Sequence, residues 1–288
     1  MQIGVVFPQT EIGPDPAGVR AYAQAVQQIG FKHLVVYDHV VGADPASYPG
    51  WSGPYTDKSQ FHEPFAVFGF LAAIAPNLEL VTGVIILPQR QTVLVAKQAA
   101  EVDVLTGGKL RLGVGIGWNT VEYEALGMDF HNRGRRFQEQ IELMRRLWTE
   151  PVVTFEGRYH TVTAAGINPL PVQRPIPVWI GGSAESALRR AAELADGFFP
   201  QRPLEGGWPA TLEKMRGWRK DAGKDPADFG IEARLNANSG SPDDWHAAVE
   251  EWRHLGATHL SINTMGAGLQ SPDAHVERLR QALQAVQP

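Results

Sequence analysis

The chain contains no cysteine, which removes disulfides, thiolate nucleophiles, cysteine-held zinc and iron–sulfur clusters from consideration. It has no excess of positive charge: the formal net charge is −5, so the basic face that phosphate-backbone binding requires is missing, and nucleic acid is not an expected partner. Long hydrophobic runs are missing too. The longest apolar stretch, from Phe65 to Ala75, falls well short of the ~20 residues of a membrane-spanning helix. Met1 to Pro8 has no basic region and too short an apolar run for a signal peptide, so the expected compartment is the cytoplasm. None of the nine histidines forms a His-x-His or His-x-x-x-His pair, and no metal site is expected.

What is present is an alternation. Short β-branched runs at 3–7, 34–37, 78–86, 110–114, 177–180, 197–199, 231–235 and 259–262 read as strands. Amphipathic stretches at 17–29, 64–75, 93–105, 133–148, 184–194, 208–222, 243–255 and 273–286 read as helices, one after each strand. In the fourth helix Phe137, Ile141, Met144 and Trp148 recur at helical spacing and face inward, while Arg135, Glu139, Glu142 and Arg146 face out. Eight βα units without a linker predict an α/β fold, a single (β/α)8 TIM barrel over residues 1–288, with a doubly wound sheet as the alternative. Two long connections, 40–62 and 154–177, are expected at the C-terminal face. The first, with Tyr48, Trp51, Tyr55 and Phe61, reads as a lid; the second, with Pro169, Pro171, Pro175 and Pro177, as an extended excursion. The segment 64–75 is apolar around nearly its whole circumference, which predicts a homodimer.

Four segments have the makings of a site. Asp38-His39 closes the second strand, where a barrel places catalytic groups and where an imidazole moves protons near neutral pH; a polar strand end with a satisfied histidine is the other reading. Gly113-x-Gly115-x-Gly117-Trp118-Asn119 follows the fourth strand. Its glycines either let a planar ligand approach the backbone or let the strand pack tightly in a small barrel, and their spacing is not a dinucleotide fingerprint. Val178 to Ser183 reads as strand, glycine pair Gly181-Gly182, N-cap Ser183 and helix start, a candidate phosphate site on exposed amides, or else a plain capped turn. Gly83 interrupts a β-branched strand between Thr82 and Val84, the mark of a bulge, a ligand approach or a packing need.

Together with the run from Ala96 to Lys109, Glu122-Tyr123 through Gly127, and Arg133-Gly-Arg-Arg136, these segments resemble the luciferase-like monooxygenase superfamily along essentially the whole chain, in particular its deazaflavin-dependent branch. The resemblance implies a cofactor ring over the strand ends, bounded by Gly83, Val84, Gly115, Gly117, Trp118 and Asn119. It implies a non-prolyl cis peptide at Gly83–Val84, a cofactor phosphate on the amides of Gly181, Gly182 and Ser183, and His39 facing the reactive part of the ring; the adjacent Asp38 is read as a supporting partner of His39. Coenzyme F420 is the expected cofactor and FMN the alternative, with hydride transfer to or from a small organic substrate in the first case. In the second, the activity would be an FMN-dependent monooxygenase fed by a separate reductase. A flavin-binding barrel without turnover is the third reading. Sugar-phosphate dehydrogenases of the branch carry a glutamate where this sequence has Trp118, which argues against a phosphorylated sugar.

Overall fold

The β-branched runs form the staves of a barrel. The computed structural model describes residues 1–287. In chain order its strands are β1 (Gln2–Val6), β2 (His33–Val36), β3 (Glu79–Thr82), β4 (Ile85–Ile86), β5 (Leu110–Gly115), β6 (Val153–Glu156), β7 (Thr161–Ala165), β8 (Val178–Gly182), β9 (Gly197–Pro200), β10 (Gly230–Asn236) and β11 (His259–Asn263). The helices are α1 (Pro16–Ile29), α2 (Pro64–Ile74), α3 (Thr92–Thr106), α4 (Thr120–Ala125), α5 (Arg133–Thr149), α6 (Glu185–Leu194), α7 (Gly207–Asp221), α8 (Pro242–His254) and α9 (Pro272–Val286). Parallel pairing runs from β3 through β2, β1, β11, β10, β9 and β8 to β5, and β3 pairs with β5 to close the ring. β4 is the upper piece of the third stave. The fold is the closed (β/α)8 barrel, and the doubly wound alternative falls.

Local chemistry sets the helix ends. Asp15 accepts the Ala17 amide ahead of Pro16, Ser271 accepts the Ala274 amide, and Ser241 forms a reciprocal capping box with Asp244. On α5, Phe137, Ile141, Met144 and Trp148 are buried as their spacing requires, and Arg135 and Glu142 are exposed. Glu139 departs from that pattern: its carboxylate holds His160 at 2.7 Å and the amides of Arg158 and Tyr159 at 2.8 Å.

The third strand is interrupted at Gly83 as expected: β3 ends at Thr82, the Gly83–Val84 peptide is cis, and pairing resumes at Ile85. Three expectations change. A short helix, α4, stands after the strand-five glycines, where no helix is expected from the sequence. The connection 154–177 is an antiparallel β6–β7 hairpin, and it leaves from the N-terminal end of the barrel because it leads from a helix back into a strand. Gln173 fixes its return by donating to the Leu110 carbonyl at the start of β5, and only the hairpin tip climbs along α5 to His160, which meets Thr92 at the start of α3. Finally, α2 is covered mostly from within the chain. Phe65, Val67, Phe68 and Leu71 are buried, and the Arg20 guanidinium lies 5.4 Å above the Phe70 ring.

Ions buried in the lower half of the barrel tie the staves together. Arg111 of β5 binds Glu232 of β10 at 2.5 Å and Glu79 of β3 at 2.9 Å, and its guanidinium lies 4.3 Å from the Trp179 ring on β8. Glu232 also holds His33 of β2 at 2.7 Å and accepts the Ser261 hydroxyl from β11. Burial alone would raise the Glu232 carboxyl, but His33 and Arg111 outweigh it and hold it far below the usual carboxylate range. A carboxylate depressed in the folded state stabilises the fold above its unfolded value of 4.5 and loses that contribution as pH falls further. Replacing Glu232 with Gln should therefore cost about 3–5 kcal/mol at neutral pH, because it breaks a buried ion network. In urea unfolding the gap to the parent should narrow between about pH 5 and pH 3. A gap that stays constant over that range would assign the loss to packing instead.

Candidate active site

Three residues beyond the end of β2, the chain is held by two carboxylates. Asp38 accepts the Ile86 amide of β4 at 3.0 Å and the Arg90 guanidinium at 2.8 Å, and Arg90 also reaches Glu63, the N-cap of α2, at 3.0 Å. Burial would lower the Arg90 guanidinium, but Asp38 and Glu63 hold it above its ordinary value, so it stays charged. Asp38 thus fastens the exit of β2 to the broken third stave. Its oxygens are committed there, and the partner of His39 is Glu122 of α4, with Nδ1 3.1 Å from Oε1.

The His39 side chain is 6% exposed and packs against Tyr55 and Phe61, ring centroids 5.4 and 5.0 Å away. Its Nε2 is buried and has no hydrogen-bond partner in the protein. Glu122 also accepts the amides of Val40 at 2.5 Å and Val41 at 3.2 Å, and the Gln89 side chain at 3.0 Å. Burial works to raise its carboxyl, and these donors, His39 foremost, bring it below the ordinary value.

The structure brings Gly83, Val84, Gly115 and Gly181 together at the barrel mouth. A Cβ on Gly115 would lie 2.8 Å from the Val84 side chain, and one on Gly181 3.1 Å from it. The strand-five glycines serve protein packing: a Cβ on Gly113 would meet the Thr82 carbonyl oxygen at 1.9 Å, and one on Gly117 the Ile86 side chain at 2.6 Å. All three thus meet the packing need, the second of the two sequence readings. The Asn119 side-chain oxygen caps α4 by accepting the Val121 and Glu122 amides, while its Nδ2 is buried without a partner in the protein. Trp118 is 47% exposed and leans on Trp51 of the 40–62 connection, ring centroids 5.7 Å apart. Between these indoles and residues 50–54 lies an open cavity of about 530 Å³.

At the far side of the mouth β8 runs into α6. Ser183 is not the cap, because Ala184 holds that position and offers no side-chain acceptor; the Ala187 amide is taken by the Ala184 carbonyl at 2.8 Å, and the Glu185 and Ser186 amides are left open to an anion. A side chain at Gly182 would collide with Ala187 at 2.7 Å, so glycine is needed there for strand–helix packing in any case. Opposite, Arg234 donates to the Tyr37 hydroxyl at 2.8 Å and to Gln201 at 3.1 Å, and Gln9 donates to the Tyr37 carbonyl at 2.9 Å.

Sequence reasoning missed Glu122, Gln89, Arg90 and Arg234 as members of this site. For Glu122 a signal existed: Asn119 followed three residues later by a glutamate is the spacing of a helix N-terminus. No cluster of His, Cys, Asp and Glu fit for a metal occurs among the described residues. Nor, among them, is any helix long and apolar enough to cross a membrane.

The sequence pattern of the luciferase-like monooxygenase family matches residues 1–286. The chain belongs to that family. Among its relatives, an F420-dependent glucose-6-phosphate dehydrogenase of Segniliparus rotundus is 30% identical over 244 residues, covering 81% of this chain and 68% of the relative. An FMNH2-dependent dimethylsulfone monooxygenase of Pseudomonas putida is 29% identical over 201 residues, 68% of this chain and 52% of that one. The solved structure of the monooxygenase RslO1 from Streptomyces bottropensis superposes with a TM-score of 0.79 at 20% identity, over 99% of this chain and 98% of that chain, a likeness of fold. Luciferase-like barrels of both cofactor types thus stand at similar distance from this chain.

Within this luciferase-like barrel the contact between Trp51 and Trp118 depends on Gly53, whose Cβ would lie 2.5 Å from Trp118 and 2.6 Å from Trp51. Gly53→Val should push the indoles apart, shift tryptophan emission and speed proteolysis within 40–62. Barrel stability should change by less than about 0.5 kcal/mol, as for a surface substitution. Unchanged emission and cleavage would mean that the indole pair does not hold the connection closed.

Proposed function

We propose that this protein transfers hydride between coenzyme F420 and a small organic substrate, with His39 as the proton-handling group. The observation that carries the reading is the buried, unpartnered Nε2 of His39 at the C-terminal end of the barrel, where (β/α)8 enzymes hold their reacting groups. The residues present fit the cofactor. Gly83, Val84, Gly115 and Gly181 would line its ring, the open amides after Gly182 and Ser183 would take its phosphate, and Trp118 would close the cavity above. Bound deazaflavin supplies a two-electron hydride carrier. The protein's own part is to hold the substrate under the Trp51–Trp118 cover, exclude water, and take the hydroxyl proton on His39 Nε2 as hydride leaves the carbon, or return it in the reverse direction. Asp38 in this reading braces the strand end and touches no reacting atom. A separate reductase or dehydrogenase that recycles the cofactor, and a cytoplasmic setting, belong to the same reading.

Cofactor-depleted protein titrated with F420 and FMN side by side should bind F420 at least about tenfold tighter, a difference of roughly 1.4 kcal/mol. Tighter FMN binding with oxygen consumption would replace the proposal by a flavin monooxygenase. Binding without any turnover would replace it by a carrier. With a substrate found by screening, His39→Gln should lower turnover by ~10²–10⁴-fold and leave F420 affinity within a few-fold. If affinity and turnover fall together, His39 only shapes the pocket.

The homodimer belongs to this proposal as well, with α3 as the contact. Leu94 and Leu105 stand 50% and 54% exposed on it, alongside Val93 and Val104. Light scattering should return about twice the 31.6 kDa chain mass, and Leu94→Asp with Leu105→Asp should return the single mass. A monomer for the parent across a wide concentration range would remove the dimer.

A further inference from the structure

Every protein partner of the Glu122 carboxylate is a donor. Oε1 receives the amides of Val40 and Val41 and faces His39 Nδ1, and Oε2 receives the Gln89 amide group. The side chain is 3% exposed, so no water competes for these lone pairs. An ionised carboxylate only accepts, and a neutral imidazole carries one N–H. The proton of neutral His39 must therefore sit on Nδ1, toward Glu122, and Nε2 must be bare. No other carboxylate competes for that role, because the adjacent Asp38 is taken up by Arg90 and Ile86. Tyr55 and Phe61 cover the ring with carbon, so the bare Nε2 finds no donor in the protein.

We infer that Glu122 is the positioning residue that fixes His39 as its Nδ1–H tautomer and keeps Nε2 as a hydrogen-bond acceptor, so that the substrate is one that presents a hydroxyl or N–H donor there. This rests on the proposed role of His39 and narrows the substrate class within it. A ketone or other pure acceptor meets a bare nitrogen in neutral His39 and binds only where the ring has first gained a proton. An alcohol meets an acceptor ready to take its proton on Nε2 as the carbon gives up hydride to F420; one O–H and one C–H bond break, and a carbonyl forms. Glu122 also ties His39 to its surroundings, since the same oxygen holds the amides that open the 40–62 connection.

The tautomer can be read without cofactor or substrate. In protein labelled with ¹⁵N-histidine, with the His39 signals identified by their loss in His39→Gln, long-range ¹H–¹⁵N correlation above the range where the ring protonates should show a protonated Nδ1 and a bare Nε2. In Glu122→Gln, whose amide both donates and accepts, an Nε2–H population should appear. An Nε2–H tautomer in the parent overturns the inference even if the variant fails to fold, and so does an unchanged tautomer in a folded Glu122→Gln. With an alcohol substrate, Glu122→Gln should lower kcat at least tenfold, and the double variant with His39→Gln should turn over no more slowly than His39→Gln alone, since Glu122 acts through His39. Additive losses would assign Glu122 a structural role and overturn the positioning role. F420 binding tested separately reports on the cofactor reading, so the two can fail independently.

Discussion

The close approach of β3 to β5 is the constraint on which the rest of the structure depends. The barrel closes there, with Leu80 opposite Leu110 and Val81 opposite Arg111, and the Thr82 carbonyl stands where Gly113 would carry a side chain. The Thr82 hydroxyl returns the contact by donating to the Gly113 carbonyl at 2.7 Å. Above this point the third stave breaks and resumes one step along as β4, whose Ile85 and Ile86 pair with Val114 and Gly115. The break turns the Ile86 amide toward Asp38 and delivers Gln89 and Arg90 to the carboxylates of Glu122 and Asp38. The groups that hold the mouth in shape thus all follow from how one strand yields to its neighbour.

The two ends of the barrel use charge differently. In the lower half, Arg111, Glu232, Glu79, His33 and Ser261 pair with one another, leaving His33 Nδ1 without a partner, and the network links strands far apart in sequence. Removing one member of such a network leaves a buried charge unpaired. At the mouth Asp38 is paired with Arg90 and Glu122 is saturated with donors, yet His39 Nε2, Gln9 Oε1, Gln89 Oε1, Arg90 Nε and Asn119 Nδ2 are buried and unpartnered. Unmet hydrogen-bonding capacity inside a protein is costly.

Much of the barrel was legible because its signals are local. β-Branched runs of strand length, helical spacing such as that of Phe137, Ile141, Met144 and Trp148, and caps such as Asp15 and Ser271 each speak for their own segment. The misreadings have a shared cause. The hairpin leaving from the opposite end of the barrel and the self-covering of α2 are set by neighbours distant in sequence. α4 is six residues long, too short for periodicity to register, and Glu122 on it acts across 83 residues of chain on His39. His39, Gly83, Val84 and Gly181 were found where the sequence placed them, whereas the link between Asp38 and His39 failed because adjacency along an extended chain does not bring side chains face to face.

The glycine ladder of β5 shows what residue type alone cannot decide. A glycine opposite a ligand and a glycine opposite a carbonyl have the same sequence, and here the neighbours of Gly113, Gly115 and Gly117 are Thr82, Val84 and Ile86 of the broken stave. The ladder therefore shapes the pocket indirectly, by letting β4 sit close enough to hold Val84 at the mouth. Outside the staves stand Trp51 and Gly53 in the 40–62 connection, Trp118 beyond β5, and Tyr55 and Phe61 around His39. These sit on loops that can change without disturbing the closing contact or the ion network beneath it, which is the division of labour that lets one barrel carry different chemistries.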